Sequence, residues 1–129
     1  IQASKSQDYN NLMRLANLLG PMVYNIDSHQ RKVLHVAAVF ACNFSNYMYM
    51  ISDEILGKER IPLDILHPLM KETASKITKH NPKDVQTGPA TRKDKSTIDT
   101  HLKYLKEGNN YDIYKILTEN IIAKNNDEL

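Results

Sequence analysis

The sequence predicts a mainly α-helical protein, with a long central helix, shorter packed helices around it, and one helix and one strand before it. Three observations lead to this fold class. Helical periodicity runs unbroken from residue 28 to Gly57, further helical segments follow to residue 124, and the one β-like segment lies within residues 1–27. The chain has 129 residues, 41% hydrophobic and 25% charged, which is typical of one folded domain.

Residues 1–27 differ from the rest of the chain. Ser6-Gln7-Asp8 predicts a helix N-terminus, and Gly20-Pro21 predicts the end of that helix. Residues 22–26 are then typical of a strand. Because one strand cannot form a sheet alone, we expect residues 1–27 to be the closing helix and strand of an α/β domain whose other strands lie upstream. The start at Ile1, without an initiator Met, agrees with this expectation.

The long helix is predicted from an N-cap at Asp27-Ser28 to Gly57, a length of ~45 Å at 1.5 Å per residue. Between residues 33 and 46 it is apolar on almost every face, which is typical of a helix buried on all sides. A domain of this size cannot easily cover such a helix, so we expect a homodimer formed through residues 28–57. Cys42 lies in the apolar stretch, where core packing is a better interpretation than nucleophilic chemistry.

Three more helices are predicted in residues 28–129, which we treat as one helical domain. The first covers residues 63–79, with Pro68 as a kink or as part of a first turn. The irregular segment 82–89 follows, and Asp94 or Ser96 then predicts the N-cap of a helix that ends near Leu105. The last helix is predicted over residues 111–124.

Composition excludes several classes of protein. The single cysteine rules out an internal disulfide and a cysteine-rich zinc site, and it favours a cytoplasmic location. No apolar run is long enough for a membrane span, and the chain has no Trp and no aromatic residues interleaved with its lysines, which disfavours nucleic acid as a partner. Residues 71–106 carry nine basic and four acidic side chains, an excess that could attract an anionic ligand or simply form a solvated face.

Two groups of residues could carry chemistry. His35, Asn43 and Asn46 share one broad face of the long helix, where they could line a ligand cleft, with His35 as a proton donor or acceptor, or could satisfy neighbouring backbone groups or a partner helix. The second group is Gln86-Thr87-Gly88-Pro89 with Arg92, which could clamp a carboxylate or phosphate or form a tight interhelical loop. The sequence holds no G-x-G-x-x-G, P-loop or H-E-x-x-H motif, and its other histidines show no metal-ligand spacing.

Three sequence runs carry a family resemblance. They are His-Val-Ala-Ala-Val-Phe-Ala-Cys-Asn-Phe at 35–44, Pro-Leu-Met-Lys-Glu-Thr at 68–73 and Gln-Thr-Gly-Pro-Ala-Thr-Arg at 86–92, followed by His101-Leu102. Between residues 28 and 105 the chain closely resembles the uncharacterised helical domain that follows a Rossmann-like nucleotide-binding domain in bacterial oxidoreductases. Those proteins are similar to pyrroline-5-carboxylate reductase and to deazaflavin-dependent NADP reductases.

The resemblance implies a fold and a set of site residues. The fold is similar to the C-terminal domain of 6-phosphogluconate dehydrogenase, and residues 1–27 would end the Rossmann-like domain, which would bind most of the NADP or NAD. Relatives among the hydroxyacid dehydrogenases and ketopantoate reductases carry Lys-x-x-x-Asn, where the lysine is the general acid. Asn43 matches that asparagine, Val39 stands in place of the lysine, and His35 could substitute for it. The implied substrate-binding residues are Asn46, Thr73, Gln86, Thr87, Gly88 and Arg92.

Two hypotheses of function follow from these observations. The first is the dimerisation and substrate-binding domain of an NAD(P)-dependent oxidoreductase, with His35 and Asn43 as catalytic residues and a small anionic substrate. In this hypothesis the chain alone is inactive because the cofactor site lies upstream. The second is a non-catalytic homodimerisation module, in which the polar strip sets the register of two helices.

Overall fold

The computed structural model describes residues 3, 5–20, 22–106 and 108–126, and it is mainly helical as predicted. The described residues contain no strand. The helices, in chain order, are α1 (Ser6–Leu19), α2 (Ser28–Ala38), a π-helical segment (Val39–Phe44), α3 (Ser45–Lys58), a 3₁₀ turn (Leu63–Leu66), α4 (His67–Ile77), α5 (Lys95–Leu105) and α6 (Asn109–Asn126). The chain forms two compact units, residues 1–52 and residues 53–129.

The first unit begins with α1, which confirms the helix predicted there but corrects its N-cap. The N-cap residue is Lys5, in an extended conformation and without a side-chain cap, so Ser6 and Asp8 lie inside the first turn. At the other end, the Gly20 N–H donates to the Ala16 carbonyl at 3.1 Å, and the helix stops there as predicted. Pro21 lies outside the described residues.

The strand predicted over residues 22–26 is wrong for this chain. Residues 22–27 have no regular secondary structure. A strand is stabilised by ladder hydrogen bonds to a neighbour, and no second extended segment among the described residues pairs with this one. The β-propensity of these residues alone is therefore not sufficient. The domain boundary after residue 27 stays a prediction.

The long helix forms as predicted, from Ser28 to Lys58, with a π-helical segment in its middle. A capping box starts it: Asp27 Oδ1 accepts from the Gln30 N–H at 2.8 Å, and Gln30 Oε1 accepts from the Asp27 N–H at 2.9 Å. These two bonds satisfy backbone N–H groups that have no partner within a helix. The α2 helix, the π-helical segment and α3 then follow without a loop between them.

The long helix is not buried within one chain, and the cover that we expect from a second subunit stays a prediction. Cys42 is exposed, so it does not pack in a core of the single chain. The reason is that the described residues of the first unit do not cover this helix. Large apolar side chains are exposed along it, and together we call them the apolar helix surface: Val33, Leu34, Val36, Phe40, Phe44, Tyr47 and Met50.

In the second unit, helix positions follow local signals. Pro68 lies in the first turn of α4, where its missing N–H costs nothing, so it does not kink the helix. Asp94 is the N-cap of α5, and Lys106 follows its last residue at a positive φ of 59°. Helix α4 ends at Ile77, two residues before the predicted position. No helix of the described residues is long and apolar enough to cross a membrane.

The most buried described residues of the second unit lie where the 86–92 loop meets α6. Ala90 is 6% exposed and Thr118, on α6, is 8% exposed. Helices α5 and α6 contact each other, and α6 also meets the end of α3 through a long bond of 3.5 Å from Asn110 Nδ2 to Glu54 Oε2. The 86–92 loop and the α5–α6 pair therefore form the centre of this unit.

Asp94 gives the second unit a pH-dependent contribution to stability. Hydrogen bonds from the Thr97 hydroxyl (2.8 Å) and the Thr97 backbone N–H (3.1 Å) lower the pKa of Asp94, with smaller help from Ser96 and from the charge of Arg92. Because the pKa is lower in the folded chain, the stabilisation is present above the ordinary aspartate pKa near ~4 and is lost as pH falls through the lowered value.

We therefore expect Asp94→Asn to lower the melting temperature at pH 7 and to lower it less at about pH 2, because the stabilisation is lost as pH falls through the lowered pKa of Asp94. Thermal unfolding followed by circular dichroism at several pH values measures this difference. Asp99→Asn, on the same helix, is the control, because none of the described residues donates a hydrogen bond to the Asp99 carboxylate. An equal effect of Asp94→Asn at both pH values would contradict the prediction.

Candidate functional site

The three polar residues predicted on the long helix are all exposed: His35 on α2, Asn43 in the π-helical segment and Asn46 on α3. Within the described residues, none of these side chains makes a hydrogen bond. The interpretation in which they satisfy neighbouring backbone groups of their own chain therefore has no support. Their donors and acceptors remain available to a ligand, to a partner helix or to water.

The π-helical segment is the feature that the sequence did not reveal. It starts where the Val39 N–H is shared between the carbonyls of His35 and Val36. Near its end, the Ser45 hydroxyl donates at 3.5 Å to the carbonyl of Phe40, five residues back. A π turn holds more residues than an α turn, and such turns occur frequently at functional sites.

The wider turn changes which residues share a face of the long helix. In an unbroken α-helix, positions four apart drift by ~40° per step, which would separate His35 from Asn43 by ~80°. Five of the residues that follow His35, up to and including Asn43, belong to the π-helical segment, and each of them adds a smaller rotation than an α-helical residue. His35 and Asn43 are therefore closer to alignment than an α-helix would place them.

The loop predicted to bind an anion packs against α6. Gly88 adopts a φ of +115°, and its carbonyl accepts from the Arg92 N–H at 3.3 Å. A cavity of ~200 Å³ lies between the loop and the helix, with walls formed by Thr87, Gly88, Pro89, Ala90, Tyr114, Leu117, Thr118 and Ile121. This arrangement agrees with the interpretation of a tight loop, and it also places Thr87 and Gly88 on a cavity.

Gln86 lies on a different and larger cavity. Its volume is ~670 Å³, and its lining includes Lys83, Lys124 and the amide of Asn125. The Nδ2 atom of Asn125 is buried and has no hydrogen-bond partner among the described residues. Gln86 Nε2 donates to the Thr87 carbonyl at 3.1 Å. Two lysines and three amides, counting Asn81, give this cavity donors of the kind that a small anion needs.

The structure does not bring Thr73 or Arg92 to either cavity. Thr73 is exposed on α4. Its hydroxyl donates to the Leu69 carbonyl at 2.9 Å, so its proton is used within the helix. Arg92 is exposed, and its charge acts on Asp94. Among the described residues, no group of three or more His, Cys, Asp or Glu could hold a metal ion.

Sequence reasoning missed the pairing of His101 with Tyr114. The His101 Nδ1 atom lies 2.8 Å from the Tyr114 hydroxyl, and the two rings meet edge to face with centroids 5.6 Å apart. The pair joins α5 to α6 and borders a third cavity, of ~360 Å³. Helical periodicity places His101 and Tyr114 on different helices and does not predict their contact. The only sequence signal was that His101 belongs to the last of the runs that carry the family resemblance.

Comparison with known proteins identifies the family. A family model described as a domain of unknown function (DUF2520) matches residues 1–121. The chain belongs to this family. No curated protein matches it significantly. The resemblance predicted from the three sequence runs is thereby confirmed.

A solved structure is similar to this DUF2520 chain over nearly its whole length. It is the crystal structure of a putative NADP oxidoreductase from Bacteroides fragilis, with 42% sequence identity and a TM-score of 0.89. The match covers 95% of the DUF2520 chain and 48% of the other, so this chain spans about half the length of that protein.

The requirement for glycine at position 88 of the DUF2520 chain can be tested by comparison with Gly57, which also has open space around it. A Cβ atom added at Gly88 or at Gly57 would meet no atom within 4 Å, so only the backbone conformation differs between them. Because a side chain disfavours a φ of +115°, we expect Gly88→Ala to lower the free energy of unfolding by about 1–2 kcal/mol. Gly57 is helical, so Gly57→Ala should raise it by up to about 1 kcal/mol.

Urea unfolding of the two variants measures both changes. If Gly88→Ala is as stable as the wild type, the positive φ of the 86–92 loop is not required for folding.

Proposed function

We propose that this chain is the dimerisation and substrate-binding part of an NAD(P)-dependent oxidoreductase of the cytoplasm. The observation that carries the proposal is the match at 42% identity and a TM-score of 0.89 to about half of the putative NADP oxidoreductase from Bacteroides fragilis. Identity at this level over 95% of the chain supports a related function as well as a common fold. The single exposed thiol of Cys42 agrees with a reducing compartment.

In the proposed enzyme, His35 is the acid or base and Asn43 orients the substrate. Val39 occupies the position where the more distant relatives carry a general-acid lysine, so another group must move the proton. An imidazole can both donate and accept a proton, and the π-helical segment brings His35 closer to the face of Asn43. Asn46 extends this polar strip on α3.

The residues of this chain do not form a complete dinucleotide site. It has four glycines, and none of them forms the G-x-G-x-x-G loop that holds a pyrophosphate. In the proposal, a nucleotide-binding domain outside this chain holds most of the NADP or NAD, whose nicotinamide exchanges a hydride when bound. Within this chain, Gln86, Thr87 and Gly88 are proposed to contact a small anionic substrate, which the lysines near Gln86 would attract. The predicted substrate contacts of Thr73 and Arg92 stay predictions, because neither residue lines one of these cavities.

The homodimer is proposed through residues 28–57, because the apolar helix surface is exposed in the single chain. In folded proteins, large exposed apolar patches mark interaction sites. A second copy would remove it from water and would account for a helix that is apolar on almost every face. This part of the proposal is shared with the alternative hypothesis of a non-catalytic homodimerisation module.

Titration of the full-length protein distinguishes the enzyme from the non-catalytic module. We expect saturable binding of NADPH or NADH, and oxidation of the cofactor when small carbonyl or imino acids are added, followed by its absorbance. The matched control is the same titration with the carbonyl or imino acid alone, without cofactor. Failure to bind either cofactor would reject the oxidoreductase and leave the dimerisation module.

A further inference from the structure

One face of α6 lines the cavity of ~200 Å³ that lies between this helix and the 86–92 loop. The four α6 residues in the wall are spaced i, i+3, i+4 and i+7, which places them on one side of the helix: Tyr114, Leu117, Thr118 and Ile121. Thr118 lies in the middle of this face and is the most buried of the four. Leu117 is half-exposed, so the cavity also borders solvent.

Thr118 uses its hydroxyl differently from two other helical threonines of the second unit. The Thr73 hydroxyl donates to the carbonyl four residues before it at 2.9 Å, and the Thr100 hydroxyl does the same. Among the described residues, the Thr118 hydroxyl has no hydrogen-bond partner, although the residue is only 8% exposed. Buried hydroxyls are nearly always hydrogen-bonded, because an unpaired one costs free energy. The Thr118 hydroxyl is therefore available to a group that enters the cavity.

The wall of this cavity carries no charged side chain and is mainly apolar. A carboxylate placed inside it would lose its hydration without gaining a cation. An uncharged group with one hydrogen-bonding atom would instead pair with Thr118 and cover the apolar wall. Since an apolar cavity of ~150 Å³ can hold benzene, this cavity has room for about six or seven non-hydrogen atoms.

We propose that this cavity binds an uncharged aliphatic group with one amide, carbonyl or hydroxyl, and that the Thr118 hydroxyl is its hydrogen-bond partner. The inference rests on the proposed function only for the identity of the ligand, since this group would be the uncharged part of the small anionic substrate. The charged end would then lie outside the cavity. The neighbouring cavity, lined by Lys83 and Lys124, shares the wall residue Ile121 with this one.

The test is an NMR titration of the intact protein, without cofactor, with isobutyramide and isobutyrate. The two probes have the same shape and differ in charge. We expect isobutyramide to shift the Leu117 and Ile121 methyl signals saturably, with a Kd of about 1–10 mM for a ligand this small. Isobutyrate should bind at least about tenfold more weakly, because the wall offers it no cation. Equal binding of the two probes, or no saturation by isobutyramide, would overturn the proposal.

Three variants test the role of Thr118. Thr118→Val keeps the shape of the side chain but removes the hydroxyl, and we expect it to weaken isobutyramide binding about fivefold. Thr118→Ser keeps a hydroxyl and should bind more tightly than Thr118→Val. The matched control is Thr91→Val, because the Thr91 hydroxyl is also buried without a partner among the described residues but does not line the cavity.

Circular dichroism shows whether each variant keeps its helices. Thr118→Val should keep them, since it breaks no hydrogen bond among the described residues. Wild-type affinity in Thr118→Val, or an equal loss in Thr91→Val, would reject the role of Thr118. Failure of the full-length protein to bind NADPH would reject the proposed oxidoreductase and leave these titrations unaffected, so the two proposals can fail separately.

Discussion

Phe40→Asp is expected to disrupt the proposed homodimer. Phe40 is 65% exposed in the single chain and meets Phe44 edge to face, with ring centroids 4.9 Å apart, in the middle of the apolar helix surface. A charge placed there would have to be desolvated on association without a partner. Central aromatic residues of an interface contribute about 2 kcal/mol or more, so we expect the dimer to weaken at least about 30-fold.

Sedimentation equilibrium of the wild type and the variant measures this effect. The matched control is Ile65→Asp, because Ile65 is also 65% exposed but lies on the 3₁₀ turn and not on the long helix. Circular dichroism shows whether each variant keeps its helices. A wild-type protein that stays monomeric at high concentration would reject the dimer, and equal weakening by both variants would place the interface elsewhere.

Helix positions were predictable from sequence where a side chain acts on its own backbone. Asp27 starts its helix where predicted, Asp94 is the N-cap in preference to the alternative Ser96, and Pro68 lies in a first turn that begins at His67 rather than at the predicted residue 63. The N-cap of α1 was not predictable in this way, because Ser6 and Asp8 are favourable both as caps and in a first turn. The strand at 22–26 failed because strand formation requires a neighbour, which local sequence cannot supply.

The π-helical segment could not be predicted because the helix is apolar on almost every face. An extra residue in one turn rotates the residues that follow it to another face of the helix. When the helix has no distinct polar face, this rotation cannot be detected in the hydrophobic pattern of the sequence. The exposure of Cys42 in the single chain is a related case: apolar composition predicts that a helix will be covered but does not say by which chain. The sequence grouped Gln86 with Thr87 and Gly88, and the structure divides them between two cavities.

His35→Ala is expected to lower the turnover of the full-length protein about 100-fold or more, with the affinity for NADPH unchanged. A positioned acid or base contributes this much to the rate, and the cofactor in the proposed enzyme is held mainly by another domain. The two effects separate a catalytic residue from one that maintains the fold, because a folding defect would weaken cofactor binding too. Steady-state kinetics and a direct NADPH titration measure them.

The best control is His29→Ala, which removes an exposed histidine from the same helix, α2, outside the polar strip. It should leave turnover unchanged. Asn43→Ala should raise KM as well as lower kcat, since the residue is proposed to orient the substrate and not to move a proton. Unchanged turnover in His35→Ala would remove His35 from the mechanism, and another group would then have to supply the proton, because Val39 cannot supply one.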